Sequence, residues 1–389
     1  MIRRTLEKRA LERAKSFPVV TITGPRQSGK TTLCQTVFPD HPYATLESPD
    51  VRTFATSDPR GFLGQFKGGA VLDEVQRVPE LLSYLQEIVD ARRRNGEWIL
   101  TGSQNFSLLS SLSQSLAGRT SILHLLPLSF EELQRFPSPP RDLFQILFGG
   151  GYPRIYQEEM APQDFYDGYV TTYVERDARQ VLNIGDLSAF QTFLALCAGR
   201  SGQLLNFSSL GSDAGISYHT AKAWLSVLEA GFLAFRLRPF HQNFSKRLVK
   251  TPKLYFYDSG LLCYLLGIRA PEQLLRHPLR GAIFETWIVS EILKMRTHAG
   301  RPPDMYFYRN LRGLEIDLVL ASGNACTAIE VKSGQTIAPD FFDHLEEFQS
   351  ILKGKPFSEF AAFVVYGGSQ EQRRKQGHVL PWNRITQLR

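Results

Sequence analysis

Apolar positions along this chain follow two periods, and the places where the period changes divide it into segments. Ile2, Leu6 and Ala10 recur at helical spacing and predict a short amphipathic helix lying on the first domain. The unbroken run Val19-Val20-Thr21-Ile22 reads as a buried strand, and Thr32 to Val37 as the helix after it. Tyr43 to Leu46, Gly68 to Glu74, Trp98 to Gln104 and Ser121 to Leu125 supply four more strands. Between the third and fourth, Pro79 to Arg93 places Leu81, Leu82, Leu85, Ile88 and Val89 on one helical face. Short buried strands separated by helices predict an α/β class with a parallel five-stranded sheet covered on both faces.

From Ser129 to about Arg200 the strand period is lost. Ser129 with Glu132 has the form of a capping box, Pro137 to Pro140 is a break, and Gly149 to Gly151 a turn. Pro162 to Leu182 then reads as one long helix carrying Tyr166, Tyr169, Tyr173 and Val174. This segment is expected to be a helical lid on the first domain, with Arg176 and Arg179 on its face. Next come a short helix from Phe207, a turn at Ala214-Gly215-Ile216, and a helix from Ser217 to Ala230 burying Ala221, Trp224, Leu225 and Leu228. With a strand at Gly231 to Phe235, that is the pattern of a winged helix-turn-helix. The remainder alternates again: strands at Pro252–Tyr257, Met305–Tyr308, Glu315–Leu320, Thr327–Lys332 and Ala361–Tyr366, with helices at Leu261–Leu266, Leu279–Lys294 and Asp340–Leu352. The expected domains are 1–128, 129–200, 201–258 and 259–389.

Chemistry enters at the end of the first strand. Gly24-Pro25-Arg26-Gln27-Ser28-Gly29-Lys30-Thr31, followed by Thr32, fits GxxxxGK[ST] between a strand and a helix, the context a phosphate-binding P-loop requires. Gly24 and Gly29 allow close backbone approach to phosphate oxygens, Lys30 would reach the β- and γ-phosphates, and the Thr31 hydroxyl would hold Mg²⁺. An Asp-Glu pair after an apolar run is by itself an ordinary strand end. Downstream of a P-loop, Val71-Leu72-Asp73-Glu74 is what a Walker B strand looks like: Asp73 for Mg²⁺, Glu74 to orient and deprotonate the attacking water. Thr101 or Ser103, with Gln104, would sit beside the γ-phosphate; the same side chains could simply cap the next helix.

Near the other end, Asp317 and then Glu330-Val331-Lys332 have the form D-x₁₂-ExK. Strand alternation puts Glu330 and Lys332 on one face and Ile329 and Val331 on the other. Two carboxylates beside a lysine suit Mg²⁺- or Mn²⁺-dependent phosphodiester hydrolysis, with Asp317 and Glu330 as ligands, Glu285 completing the shell and Lys332 stabilising developing charge. Without a metal the same residues make a plain salt-bridge cluster.

The series GPRQSGKT, VLDEVQ, ILTGSQ, LAGR and LPLSFEEL, with the C-terminal ExK, resembles a family of bacterial and archaeal AAA-type ATPases that carry a PD-(D/E)xK nuclease-like domain. The resemblance runs to the end of the chain. It implies a P-loop ATPase core with helical lid, winged helix and restriction-endonuclease-like domain, ATP and Mg²⁺ as cofactors, and a homo-oligomer, as a hexameric ring. It also implies that Arg119 in LAGRT presents its guanidinium to nucleotide, often that of a neighbouring subunit; the bland reading is a helix-end arginine bonding carbonyls.

Composition narrows the partners. The 389 residues are 43% hydrophobic and 21% charged, ordinary for a folded multidomain protein; the net charge of +7 fits a nucleic-acid partner but is modest for this length, so DNA as the expected partner rests on where the charge sits. Arg236, Arg238, Lys246, Arg247, Lys250 and Lys253 form a basic run without acids behind the expected recognition helix, whose exposed start carries Ser217, Tyr218, His219 and Lys222. Winged helices also serve as protein-contact modules, and a charged run is also a solvated face. Cys34, Cys197, Cys263 and Cys326 are dispersed, so neither a zinc ribbon nor a disulfide framework is expected. A charged N-terminus without an apolar core, and no long apolar run, point to a cytoplasmic protein with no membrane contact. Two functions follow: an ATP-driven motor or remodeller of DNA, and a nucleotide-controlled switch whose C-terminal half only binds a partner.

Overall fold

The computed structural model describes residues 2–103, 115–174, 186–240, 249–353 and 357–388. Its first sheet holds β1 (Val19–Gly24), β2 (Tyr43–Thr45), β3 (Ala70–Asp73), β4 (Trp98–Ser103) and β5 (Thr120–His124), all parallel, in the order β2-β3-β4-β1-β5. Alternation along each strand divides the apolar residues between two layers. Val19, Leu72 and Leu100 pack with Leu81, Leu82, Leu85 and Val89 of the helix Leu81–Arg92. Their neighbours Val20, Val71 and Ile99 pack on the other face with Leu6 and Ala10 of the helix Leu6–Ala14 and with Leu33 and Cys34 of the helix Lys30–Val37. Because every strand runs the same way, the ends at Gly24, Asp73 and Ser103 open on one edge, where doubly wound sheets place their ligands.

The helices after Ser129 differ from expectation in what they pack against. Phe130–Leu133, Leu143–Gly149, Pro153–Gln157, Pro162–Tyr169 and Leu187–Gly199 share one continuous core with Phe207–Asp213, Tyr218–Ala230 and the C-terminal helices, from Leu126 to Leu388. The expected lid on the first domain is therefore built into the C-terminal half; Pro153 is its point of approach to Gly29. The long helix expected over Pro162–Leu182 is α-helical to Tyr169 and π-helical over Val170–Val174. Its continuation, with Arg176 and Arg179, lies outside the described residues. The predicted capping box is present: Glu132 N donates to Ser129 Oγ at 3.3 Å and Ser129 N to Glu132 Oε2 at 3.0 Å.

A second, mixed sheet has the order β12-β13-β11-β10-β9-β8-β6-β7. It comprises β6 (Ala234–Pro239), β7 (Lys253–Phe256), β8 (Met305–Arg309), β9 (Glu315–Ser322), β10 (Ala325–Lys332), β11 (Glu359–Tyr366), β12 (Gln372–Arg374) and β13 (Gly377–Pro381). The strand expected to follow the helix-turn-helix is at one end of this sheet: β6 pairs β7 and also runs parallel to β8. The helix Arg280–His298 is buried on nearly every side, which fixes it as a central strut of this half. All four cysteines are buried and unbridged. Among the described residues, no helix is long and apolar enough to cross a membrane.

Candidate functional site

At the end of β1 the chain enters a loop in which Gln27 (φ +59°) and Gly29 (φ +91°) take left-handed conformations. A Cβ on Gly24 would lie 2.2 Å from the Leu125 carbonyl oxygen, so only glycine fits between β1 and the chain leaving β5. Lys30 opens the following helix and is 5% exposed; its Nζ donates to the carbonyls of Pro25 at 2.8 Å and Gly24 at 3.1 Å. Burial pulls its ammonium below the usual lysine range, with Glu74 and Asp73 opposing. Ser28 Oγ and Gln27 Oε1 are buried without a protein partner among the described residues. A buried hydroxyl donor inside a loop held around a lysine fits a phosphate group.

Asp73 gathers three hydroxyls. Thr31 Oγ1 donates to its Oδ2 at 2.8 Å, Tyr43 OH to the same oxygen at 2.6 Å, and Thr101 Oγ1 to its Oδ1. Thr101 is thus spent on Asp73 rather than offered to phosphate. The paired Thr31 hydroxyl and Asp73 carboxylate fit Mg²⁺, a hard cation that takes one or two protein oxygens and keeps water and substrate oxygens for the rest. Glu74 and Ser103 stand at neighbouring strand ends, and both bond Gln76, through its Nε2. Gln104 lies outside the described residues.

Arg119 is elsewhere. It precedes β5, and Thr120 is in register with Val19 at the start of β1, whereas the P-loop follows the end of β1 about 17 Å away. Its guanidinium is held by Asp90 at 2.6 and 2.8 Å and by the Ala117 carbonyl at 3.1 Å. Contact with the nucleotide of its own chain is excluded by that placement.

Sequence reasoning missed Arg4, whose guanidinium bonds the P-loop carbonyl of Ser28 at 2.7 Å, the Leu126 carbonyl at 2.8 Å and Glu132 Oε1 at 3.1 Å. Nothing in MIRRTLEKRALERAK distinguishes it from the basic residues around it. Glu132 also faces His298 Nδ1 at 3.4 Å, from the end of the helix Arg280–His298. The P-loop is therefore wired by buried charges to the C-terminal half.

That helix carries Glu285 near its other end. Glu285 Oε1 accepts from Tyr255 OH at 2.6 Å and from Lys253 Nζ at 3.3 Å, and Lys253 also meets Glu315 Oε1 at 2.6 Å. Lys253, read from sequence as part of a basic wing, is 3% exposed inside this acidic group. Burial would lower its ammonium, but Glu285, Asp317 and Glu315 hold it above the usual range. Glu330 is buried, with Lys332 Nζ at 2.8 Å and His344 Nδ1 at 3.9 Å. Burial and then the Asp317 carboxylate push both Glu285 and Glu330 up, so the three acids expected together do share one neighbourhood. Ile329 and Val331 face the large core while Ala328 faces the layer under the helix Asp343–Leu352, the alternation expected. Among the described residues, however, no three His, Cys, Asp or Glu side chains converge to hold a metal ion. One Asp317 oxygen accepts from Val331 N at 2.9 Å, whereas Glu330 Oε1 is buried without a hydrogen-bond partner among the described residues. The orphaned oxygen fits a hard cation with few protein ligands; Glu285, bound to Tyr255 and Lys253, is placed as a support and not as a ready ligand.

On the expected DNA face, Ser217, Tyr218, His219 and Lys222 are exposed at the start of their helix, with the Ser217 side chain accepting from Thr220 N as its cap. Arg236 is paired bidentately with Glu229 at 2.6 and 2.7 Å, while Arg238 and Lys250 are exposed; Lys246 and Arg247 lie outside the described residues.

A family profile described as AAA domain matches residues 16–134. Two profiles described as domains of unknown function match residues 140–272 and 280–385. The uncharacterized proteins Mb2031c of Mycobacterium bovis and Rv2008c of Mycobacterium tuberculosis are each 30% identical over 334 residues, covering 85% of this chain and 73% of theirs. An uncharacterized protein of Haemophilus influenzae is 26% identical, over 51% of this chain and 52% of its own. Among solved structures, the Walker-type ATPase PABY2304 of Pyrococcus abyssi is similar at 15% identity and a TM-score of 0.43, over 68% of this chain and 96% of that one.

Proposed function

Because the chain belongs to the family of the mycobacterial proteins Mb2031c and Rv2008c and carries an AAA domain at residues 16–134, we propose that it hydrolyses ATP and uses the cycle to act on DNA as an oligomeric motor or remodeller. One observation carries the hydrolytic part: Lys30, the Thr31–Asp73 pair and Glu74 meet at one edge of a parallel sheet, beside a loop of left-handed residues. In this reading the loop N–H groups and Lys30 hold the β- and γ-phosphates, and Ser28 donates to one of their oxygens. Mg²⁺, when bound at Thr31 and Asp73, would neutralise phosphate charge. Glu74 takes the proton of the water that attacks the γ-phosphorus, and Ser103 orients that phosphate from the end of β4.

The helices Phe207–Asp213 and Tyr218–Ala230, with the exposed Tyr218, His219 and Lys222, support a winged-helix contact with DNA, thinner in charge than the sequence run suggests. The ExK strand and the orphaned Glu330 oxygen support a nuclease-like C-terminal domain. An arginine too far from its own P-loop supports assembly as a ring in which Arg119 acts on the next subunit. A specific observation favours the second reading, a nucleotide-controlled switch: Lys253 and Lys332 already neutralise the acids of the C-terminal cluster. ATPase rates with and without single-stranded, duplex and branched DNA separate the two. Stimulation by DNA supports the motor; a rate indifferent to all three supports the switch.

A further inference from the structure

Directly after β3 the backbone bends through a conformation that residues with a Cβ seldom take, Glu74 having φ +58° and ψ +44°. The short 3-10 helix Val75–Arg77 starts there and brings Gln76 back against the strand ends. Gln76 Nε2 donates to Glu74 Oε2 and, at 2.9 Å, to Ser103 Oγ at the tip of β4. A carboxylate only accepts, so the amide nitrogen and not its oxygen must face Glu74. Both amide hydrogens are thereby used, one at each strand end. The remaining atom, Oε1, is buried and has no partner among the described residues. A buried carbonyl left unpaired costs about 1–3 kcal/mol, and a left-handed non-glycine residue adds strain, so this corner is held for a reason other than stability.

Resting on the ATPase reading above, we propose that Gln76 is the positioning residue for Glu74. It fixes the carboxylate by one N–H and ties it through Ser103 to the strand that faces the γ-phosphate. In the step it serves, the water oxygen bonds to the γ-phosphorus and the bond to the β–γ bridging oxygen breaks. The water proton passes to Glu74 and then to the released phosphate. Gln76 makes and breaks no covalent bond; it removes the rotamer freedom that would let Glu74 face away.

The test uses the full chain with Mg²⁺-ATP and two substitutions, Gln76→Met, which keeps length and bulk but has no amide, and Gln76→Ala. Each is expected to lower kcat by about ten- to a hundredfold. Affinity for a non-hydrolysable ATP analogue should stay within about twofold, because substrate binding does not use Gln76. In a Glu74→Gln background, adding Gln76→Met should change kcat no further, since a residue acting through Glu74 has nothing left to position. Full kcat in Gln76→Met, or losses that multiply in the double variant, would overturn the proposal while leaving the ATPase reading intact. If the unmutated protein binds Mg²⁺-ATP and never turns it over, the ATPase reading falls and the proposal falls with it.

Discussion

Thr31 and Asp73 are joined by a 2.8 Å hydrogen bond across 42 residues of sequence. The bond clamps the first turn of the P-loop helix to the end of β3, so two oxygens suited to one Mg²⁺ are fixed before any nucleotide arrives. Lys30→Ala is expected to lower kcat/KM by more than about a hundredfold, mostly by loss of binding. Glu74→Gln should bind nucleotide normally and turn it over about a hundredfold more slowly, accumulating the ATP state. Equilibrium binding of a fluorescent ATP analogue beside steady-state turnover distinguishes the two; normal turnover in Glu74→Gln would remove Glu74 from its assigned role.

Arg119 sits at the opposite end of β1 from its own P-loop and is clamped by Asp90. If it serves a neighbour, Arg119→Ala and Glu74→Gln proteins, each nearly inactive alone, should recover activity when mixed, because some interfaces then pair an intact arginine with an intact glutamate. The specific rate of the unmutated protein should also rise with its concentration. No recovery on mixing and a concentration-independent rate would assign Arg119 to Asp90 alone.

Glu132 is fully buried between Arg4 and His298, and Leu126 N donates to His298 Nε2 at 3.2 Å, which puts the ring proton on the Nδ1 that faces Glu132. Burial would raise the Glu132 carboxyl, but Arg4, His298 and the Ser129 N–H hold it well below the ordinary carboxylate range. A carboxyl depressed on folding contributes stability that is present above its unfolded value, near 4.5, and lost as pH falls below that toward the folded value. Glu132→Gln leaves Arg4 buried opposite a neutral group and should cost about 3–5 kcal/mol at pH 7. Urea midpoints for both proteins should converge as pH falls from 5 toward 3; a constant offset would show that folding does not depress the Glu132 carboxyl, and coincident curves that the pair contributes nothing.

What could be read from the sequence was what local pattern encodes. The runs at β1, β3 and β4 are buried on both faces and therefore continuous, and the P-loop and Asp73-Glu74 follow them directly, so that the Thr31–Asp73 meeting was expected. What failed depended on partners distant in sequence. The helix pattern after Ser129 showed that those helices have an apolar face, not that it would be buried against the C-terminal half. Arg236 and Lys253 looked alike as members of one basic run, yet one is paired on the surface with Glu229 and the other is buried against Glu285 and Glu315. Arg4 reads as one more basic residue in a charged helix, and only the fold brings Ser28 and Glu132 to it.

The C-terminal acids allow the last prediction. Among the described residues, Glu330 has one oxygen on Lys332 and one without a hydrogen-bond partner, and burial and then the Asp317 carboxylate push it up. A divalent cation there would relieve that repulsion and would leave room for substrate oxygens, since protein supplies few ligands. Asp317→Ala and Lys332→Ala should each abolish Mg²⁺- or Mn²⁺-dependent cleavage of DNA and leave ATP turnover within about twofold, because neither residue is near the P-loop. Lys253→Met removes the cation that neutralises Glu285 and Glu315 from a 3% exposed position and should destabilise the fold by about 3–5 kcal/mol, read as a lower urea midpoint. An unmutated protein that cuts no linear, branched or single-stranded DNA with either metal, and whose Mn²⁺ affinity is unchanged by Asp317→Ala, would make this cluster a set of structural ion pairs.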